Sequence, residues 1–285
     1  MFVITGATGH TGSVAAETLL AAGQKVRVVA RNAAKAAPLA ARGAEVFVAD
    51  LGDQEALARA VRGARGVFLI SPPDLTAKDF IAERQRLTQR QVDTLAAEGV
   101  PHVVLLSSMG AQHPAGTGPI VSVYNAERQL RASGLAATFV RASYFVENWG
   151  GVLQAVRSDG VLPSFIAADA RIPSVSTVDI GRAVAQALLD GPRGVRVIEL
   201  TGPSDVSPND VAATFTRLLG KPIQVVQAPL DAVVPTFTGF GASENVASLF
   251  REMYEAIAKG KVVAERGEHL RGTTSLETTL SALLG

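Results

Sequence analysis

Residues 2–12 read Phe2-Val3-Ile4-Thr5-Gly6-Ala7-Thr8-Gly9-His10-Thr11-Gly12, an apolar, β-branched run that gives way to glycines at every third position. Such a run favours a strand. A glycine turn between a strand and a helix is the arrangement that cradles a pyrophosphate. Gly6 permits the tight turn, Gly9 lets the backbone approach the anion, and Gly12 lets the helix lie close to the strand. Thr8, His10 and Thr11 complete this binding turn, whose free N–H groups at the helix start face the anion with the helix dipole behind them. A glycine-rich turn that binds nothing can have the same spelling. The strand before it, the helix after it and the regular continuation favour a dinucleotide.

That continuation alternates strands with helices. Candidate strands are Phe2–Thr5, Lys25–Ala30, Ala44–Ala49, Gly66–Ile70, His102–Ser107 and Ala137–Arg141. Near-continuous apolar runs such as Val103–Leu106 suit strands covered on both faces. Helices are expected from about Gly12 to Ala22, from the capping Asp53 to Gly63, and from about Ala77 to Glu98. After about residue 150 the rhythm changes. Thr177–Leu189 reads as a helix and Val195–Leu200 as a strand that returns to the main sheet. A helix follows from Ser207 with Pro208 in its first turn, then a strand at Ile223–Gln227 and a helix from Glu244 to Ala258. In that last helix Val246, Leu249, Phe250, Met253 and Ile257 mark one buried side. The fold class expected is α/β: a Rossmann-type doubly wound parallel sheet with a smaller C-terminal α/β substrate domain. The expected division is 1–150, joined by about 172–200, for the dinucleotide, and 151–171 with 201–285 for the substrate.

Composition narrows the function. The 285 residues are 47% hydrophobic and 19% charged, which suits a folded globular chain. The net charge is +1 with no run of like charges, so nothing asks for nucleic acid or an anionic membrane. With no cysteine there is no disulfide, thiolate metal site or cysteine nucleophile. The N-terminus lacks a secretory pattern, and no window holds the roughly 18 apolar residues of a membrane span. A cytoplasmic protein is expected. His10, His102, His113 and His269 show no metal-ligand spacing, so no metal is expected, and no GxSxG elbow exists.

The second strand ends in Arg31-Asn32, where an NAD-specific protein usually carries an acid. An Arg there can take a 2′-phosphate through charge-assisted hydrogen bonds, which points to NADP(H); the alternative is a solvated surface charge. Asp50 and Leu51 could contact the adenine edge, or Asp50 could cap the turn before Gly52. Ser71 and Pro72, with Pro73, could border the ribose and nicotinamide. Both segments sit at carboxyl ends of strands, where ligands bind in such sheets.

TGATGHTG, VVARN, the AD-LGD step, LLSS at 105–108 and SGLAATFVRASYFVENW at 133–149 together resemble the NmrA-like branch of the atypical short-chain dehydrogenases/reductases. The similarity continues through STVDIGRA at 176–183 and LTGP at 200–203, and so covers essentially the whole chain. It implies an NADPH-binding domain with a small C-terminal domain closing a substrate cleft over the nicotinamide. Members include quinone oxidoreductases, dye reductases, phenylpropanoid reductases and regulators that bind the dinucleotide without turnover, so the family leaves the activity open.

A carbonyl reductase needs a proton donor beside the hydride acceptor. The Tyr and Lys pair of the classical enzymes is missing: Tyr124 is followed at that spacing by Arg128, and no YxxxK occurs. Related reductases that keep a Lys or His place it four residues before the position of Glu127, which here is Val123. This counts against carbonyl chemistry and fits hydride transfer to an acceptor that is already electrophilic. Ser107 or Ser108 could bind a substrate oxygen, or satisfy turn backbone; Ser107 also borders the cofactor site. Tyr124 is a candidate catalytic residue or a core aromatic. Tyr144, Phe145, Asn148 and Trp149 could form a wall for a flat acceptor, or packing between domains. The leading expectation is an NADPH-dependent reductase of a quinone-like or other flat conjugated acceptor. The alternatives are a non-catalytic NADP(H) sensor and, behind it, a carbonyl reductase or nucleotide-sugar epimerase. Residues 230–242 form either a lid or an ordered surface loop; oligomeric state is not legible.

Overall fold

A computed structural model describes residues 1–70, 74–265 and 267–285. Eight parallel strands form the main sheet: β1 Phe2–Thr5, β2 Val26–Ala30, β3 Glu45–Val48, β4 Gly66–Leu69, β5 Val103–Ser108, β6 Ala137–Ala142, β10 Val195–Thr201 and β13 Glu268–Arg271, in the order 13-10-6-5-4-1-2-3. The remaining strands are β7 Tyr144–Phe145, β8 Val161–Ser164, β9 Ile172–Val175, β11 Asp205–Val206 and β12 Gln224–Gln227; β7, β9 and β11 make one small sheet, β8 and β12 another. The helices are α1 His10–Ala21, α2 Ala33–Ala41, α3 Gln54–Val61, α4 Phe80–Ala97, α5 Val121–Ala132, α6 Leu153–Asp159, α7 Thr177–Asp190, α8 Pro208–Leu219, α9 Val233–Gly239, α10 Glu244–Ala258 and α11 Leu276–Leu284.

Alternation along each strand feeds two cores. Phe2, Ile4, Val28, Phe68, Val104 and Val140 pack with α1 and α7 on one face, while Val3, Val29, Val67, Leu105 and Phe139 pack with α3, α4 and α5 on the other. This is the doubly wound arrangement expected. A third cluster around Trp149, Val156, Leu162, Val211, Phe215 and Leu280 joins α6, α8 and α11.

Strand β10 pairs with β6, as its sequence led one to expect, and β13 extends the same sheet. Helix α1 starts two residues earlier than expected, because Gly9 is its extended N-cap (φ −95°, ψ 168°). Helix α4 starts at Phe80 rather than Ala77, since Asp79 accepts the Ala82 N–H at 3.1 Å and sets the boundary. Helix α1 lies hard against α7 because of Gly181: a Cβ there would stand 2.6 Å from Val14 Cβ and 2.8 Å from the Thr11 carbonyl oxygen.

Candidate functional site

Two cavities open at the carboxyl ends of the parallel strands, one over β1 to β4 and one over β5 and β6. The first, of about 700 Å³, is lined by Gly6, Thr8 and Gly9, by Arg31 after β2, by Asp50 and Leu51 after β3, and by Arg84, Leu87 and Gln91 on α4. Its floor is a backbone cradle. Gly6 has φ +61°, and a Cβ on it would meet Ile70 Cγ2 at 2.4 Å. A Cβ on Gly12 would stand 2.4 Å from the Gly6 carbonyl oxygen. Thr5 clasps the turn to β4, donating to the Phe68 carbonyl at 2.8 Å and accepting from Ile70 N–H at 3.1 Å.

Helix α1 has no side-chain cap and no acid in its first turn, so its first N–H groups meet no competing carboxylate. Arg31 is exposed at the cavity rim, and among the described residues no carboxylate pairs with it. Arg84 is buried, and its Nη2 has no hydrogen-bond partner among the described residues. Burial lowers its pKa, and Asp74 is the opposing charge. Glycines that admit no Cβ, an uncapped helix start and unpaired Arg groups fit a phosphate-bearing ligand.

The remaining cofactor candidates divide. Asp50 does cap its turn, accepting the Gly52 N–H at 2.7 Å, while still lining the cavity. Asn32 caps α2 by accepting the Ala34 N–H at 2.9 Å. His10 is exposed and Thr11 buried at the start of α1. Ser71 and Pro72 lie outside the described residues. Ser107 lines neither cavity; its hydroxyl donates inward to Glu127 Oε1 at 2.6 Å.

The second cavity, of about 320 Å³, is mostly apolar. Its walls are Met109, Tyr144 and Phe145 on one side and Phe250, Met253 and Ile257 of α10 on the other, with Ser108, Ser143 and Asn148 supplying polar groups. Tyr144, Phe145 and Asn148 are thus brought together as the sequence suggested. Trp149 is not. Val146 and Trp149 lie three apart on the 3-10 turn Val146–Val152, so both face inward, and Trp149 is buried in the C-terminal core, tilted against Tyr144 with ring centroids 6.2 Å apart. Tyr124 is half-buried, with Arg128 5.8 Å from its ring centre, and does not line the cavity.

Burial pushes the Tyr144 hydroxyl well above the ordinary phenol range, with Tyr254 beside it adding and Asn148 opposing. It is therefore a neutral hydrogen-bonding group and a poor acid. Ser108 donates to the Met109 carbonyl at 3.0 Å. Ser143, which the sequence reading missed, is buried with Oγ unpartnered among the described residues. Arg171 stands at the rim, paired with Asp210 at 3.2 Å.

Beside this cavity lies a buried charge cluster. Ser107, Arg141 and Glu199 sit side by side in register on β5, β6 and β10. Arg141 binds Glu127 through Nε (2.8 Å) and Nη2 (2.7 Å), and reaches Glu199 (3.2 Å) and Glu265 (2.6 Å) through Nη1. Burial pushes the Glu199 carboxyl up, against the pull of Arg141. The signal in sequence was an Arg inside the apolar run Ala137–Ala142.

The segment 230–242 is ordered as a 3-10 turn and α9, and its end is tied down. Ser243 N–H donates to the Leu75 carbonyl at 2.8 Å and its hydroxyl to Ala77 at 2.6 Å, while Asn245 accepts the Phe80 N–H at 2.9 Å. Phe237 stacks on Phe250 at 4.4 Å, so this segment backs the wall of the second cavity. Among the described residues no group of His, Asp or Glu could hold a metal ion, and no helix is long and apolar enough to cross a membrane.

The fold and clefts define an α/β protein with a nucleotide-sized cavity and an apolar cavity side by side on one sheet edge. The chain belongs to the NmrA-like family, whose profile matches residues 1–279. It is 30% identical to quinone oxidoreductase 2 of Escherichia coli, covering 100% of this chain and 94% of that one. It is 27% identical to an NAD(P)H azoreductase of Xenophilus azovorans, covering 89% and 86%. The crystal structure of the Escherichia coli NADPH-dependent quinone oxidoreductase complexed with NADPH superposes with a TM-score of 0.83 at 26% identity, over 100% of both chains.

Proposed function

We propose that this protein is an NADPH-dependent oxidoreductase that reduces a quinone-like or other flat conjugated acceptor. The observation that carries the reading is the apolar cavity beside the nucleotide cleft, which offers hydroxyl and amide groups but no acid in place of a Tyr and Lys pair. Relatives named as a quinone oxidoreductase and an azoreductase support it. Bound NADPH supplies the hydride. The chain holds and orients: the start of α1 and Arg84 face the pyrophosphate, Arg31 the 2′-phosphate, and the aromatic and methionine walls exclude water from the acceptor. The exposed Asn148 amide offers a donor to an acceptor oxygen, whereas the Ser108 hydroxyl already donates to the Met109 carbonyl and the Ser143 hydroxyl is buried; Tyr124, outside the cavity, takes no part.

In this reading residues 1–150 with 172–200 serve the dinucleotide, and 151–171 with 201–285 the acceptor. Support comes from the pairing of β10 with β6 and from α10 walling the second cavity. A small aromatic substrate and a cytoplasmic setting belong to the same proposal. Met253→Trp tests it by filling the cavity: the KM for a quinone should rise about tenfold or more with NADPH affinity unchanged. Unaltered quinone kinetics in a folded variant would sink the assignment of this cavity.

A further inference from the structure

Residues 261–265, between α10 and β13, form a lip of the second cavity: Val262 and Val263 line it, and Val263 is 46% exposed, an apolar side chain that an incoming acceptor would cover. Among the described residues, no backbone-to-backbone hydrogen bond ties Val262–Glu265 to the rest of the fold. Side chains hold this strap instead. Gln112 Nε2 donates to the Val263 carbonyl at 2.9 Å, His113 Nε2 to the Lys261 carbonyl at 3.2 Å, and Lys261 Nζ to the Ala115 carbonyl at 2.7 Å. At its far end Glu265 Oε2 accepts from Arg141 Nη1 at 2.6 Å, and the Glu265 N–H donates to Glu199 Oε1 at 3.4 Å. A segment without a ladder of its own opens at low cost once such contacts go.

Arg141 does not need Glu265. Its charge is already met by the two-bond pair with Glu127, at 2.8 and 2.7 Å, and Glu199 lies beside it as well. Glu265 is half-exposed, and an exposed carboxylate added to a satisfied arginine contributes little to the stability of the fold. What the bond does fix is the strap, because Glu265 lies two residues from Val263 while Arg141 is anchored in the middle of the sheet. We propose that Glu265 is a positioning residue for the acceptor: clasped to Arg141, it holds Val262 and Val263 in place as a wall of the cavity and so sets how tightly a flat acceptor is gripped. This rests on the acceptor-cavity reading above and goes beyond it by naming what fixes that wall.

The test compares the full-length wild type with Glu265→Ala, Glu265→Gln and Glu268→Gln. The last removes the pair with Arg196 on the same stretch of chain and leaves every contact of the strap in place. Melting curves check folding, and calorimetry checks NADPH binding. In Glu265→Ala the KM for benzoquinone should rise about fivefold or more while kcat changes less than about twofold, since grip is lost and the chemistry is not. Trypsin should nick this variant after Lys261 about fivefold or more faster, with the cut mapped by mass spectrometry. Glu265→Gln, which keeps an acceptor oxygen, should fall between, and NADPH affinity should hold throughout. Glu268→Gln should match the wild type. An unchanged KM in folded Glu265→Ala, a loss confined to kcat, unaltered nicking after Lys261, or an equal rise in KM in Glu268→Gln would each overturn the inference. Failure of the wild type to reduce any quinone would overturn the acceptor reading first, and this inference with it.

Discussion

In the proposed reading Arg31 and Gly12 act on the same ligand by different means, one through charge and one through the lack of a side chain. Arg31→Asp sets a carboxylate beside the 2′-phosphate, and NADPH affinity should fall about tenfold or more while NADH affinity changes little; titration calorimetry with both cofactors checks this, and equal losses would refute the 2′-phosphate role. Gly12→Val forces atoms into the Gly6 backbone, so both cofactors should lose binding together. The glycine turn was legible because glycine is demanded there by backbone sterics, which the sequence displays directly. Side-chain direction was not: Ser107 and Ser108 are neighbours on one strand, yet alternation sends one inward to Glu127 and leaves the other at the cavity. Ser143 was missed because a hydroxyl after a strand carries no signal until its burial is known.

Among the elements, β6 carries a buried, ion-paired arginine. Arg141→Met strands Glu127 and Glu199 in the interior, and thermal or denaturant unfolding should report a loss of about 3–5 kcal/mol. Glu199 responds to pH in a defined direction. Its folded pKa is raised by burial, so its contribution to stability is full below the ordinary carboxylate range and is lost as pH rises through the raised value. Glu199→Gln should therefore melt above the wild type at neutral pH, with the gap closing as pH falls; a gap that widens on acidification would contradict this assignment. At α1 against α7, Gly181→Val should cost about 1–3 kcal/mol by overpacking. Strand identity was legible from apolar runs and helix ends from Asp53, Gly63 and Ser207. Strand β13 was not: Glu268–Arg271 has no apolar face to announce it and is held by pairing with β10.

For the molecule as a whole, the gathering of the strands into one parallel sheet followed from the alternation of elements and the right-handed crossover rule, whereas the proposed acceptor cavity required three distant segments to meet. Tyr144 and Asn148 follow β6, Phe250 and Met253 lie on α10, and Ile172 begins β9. Periodicity in α10 foretold one buried side; that side proves to be divided between packing at Val246 and the cavity wall at Phe250, Met253 and Ile257. The most direct measurement is steady-state NADPH oxidation by the purified protein against quinones, azo and triarylmethane dyes, and simple ketones and aldehydes under one set of conditions. Turnover of quinones or dyes with little or none on simple carbonyls is the expected result. Preferential reduction of simple carbonyls, or tight NADPH binding with no turnover of any acceptor, would contradict the account, the latter in favour of a dinucleotide-sensing protein.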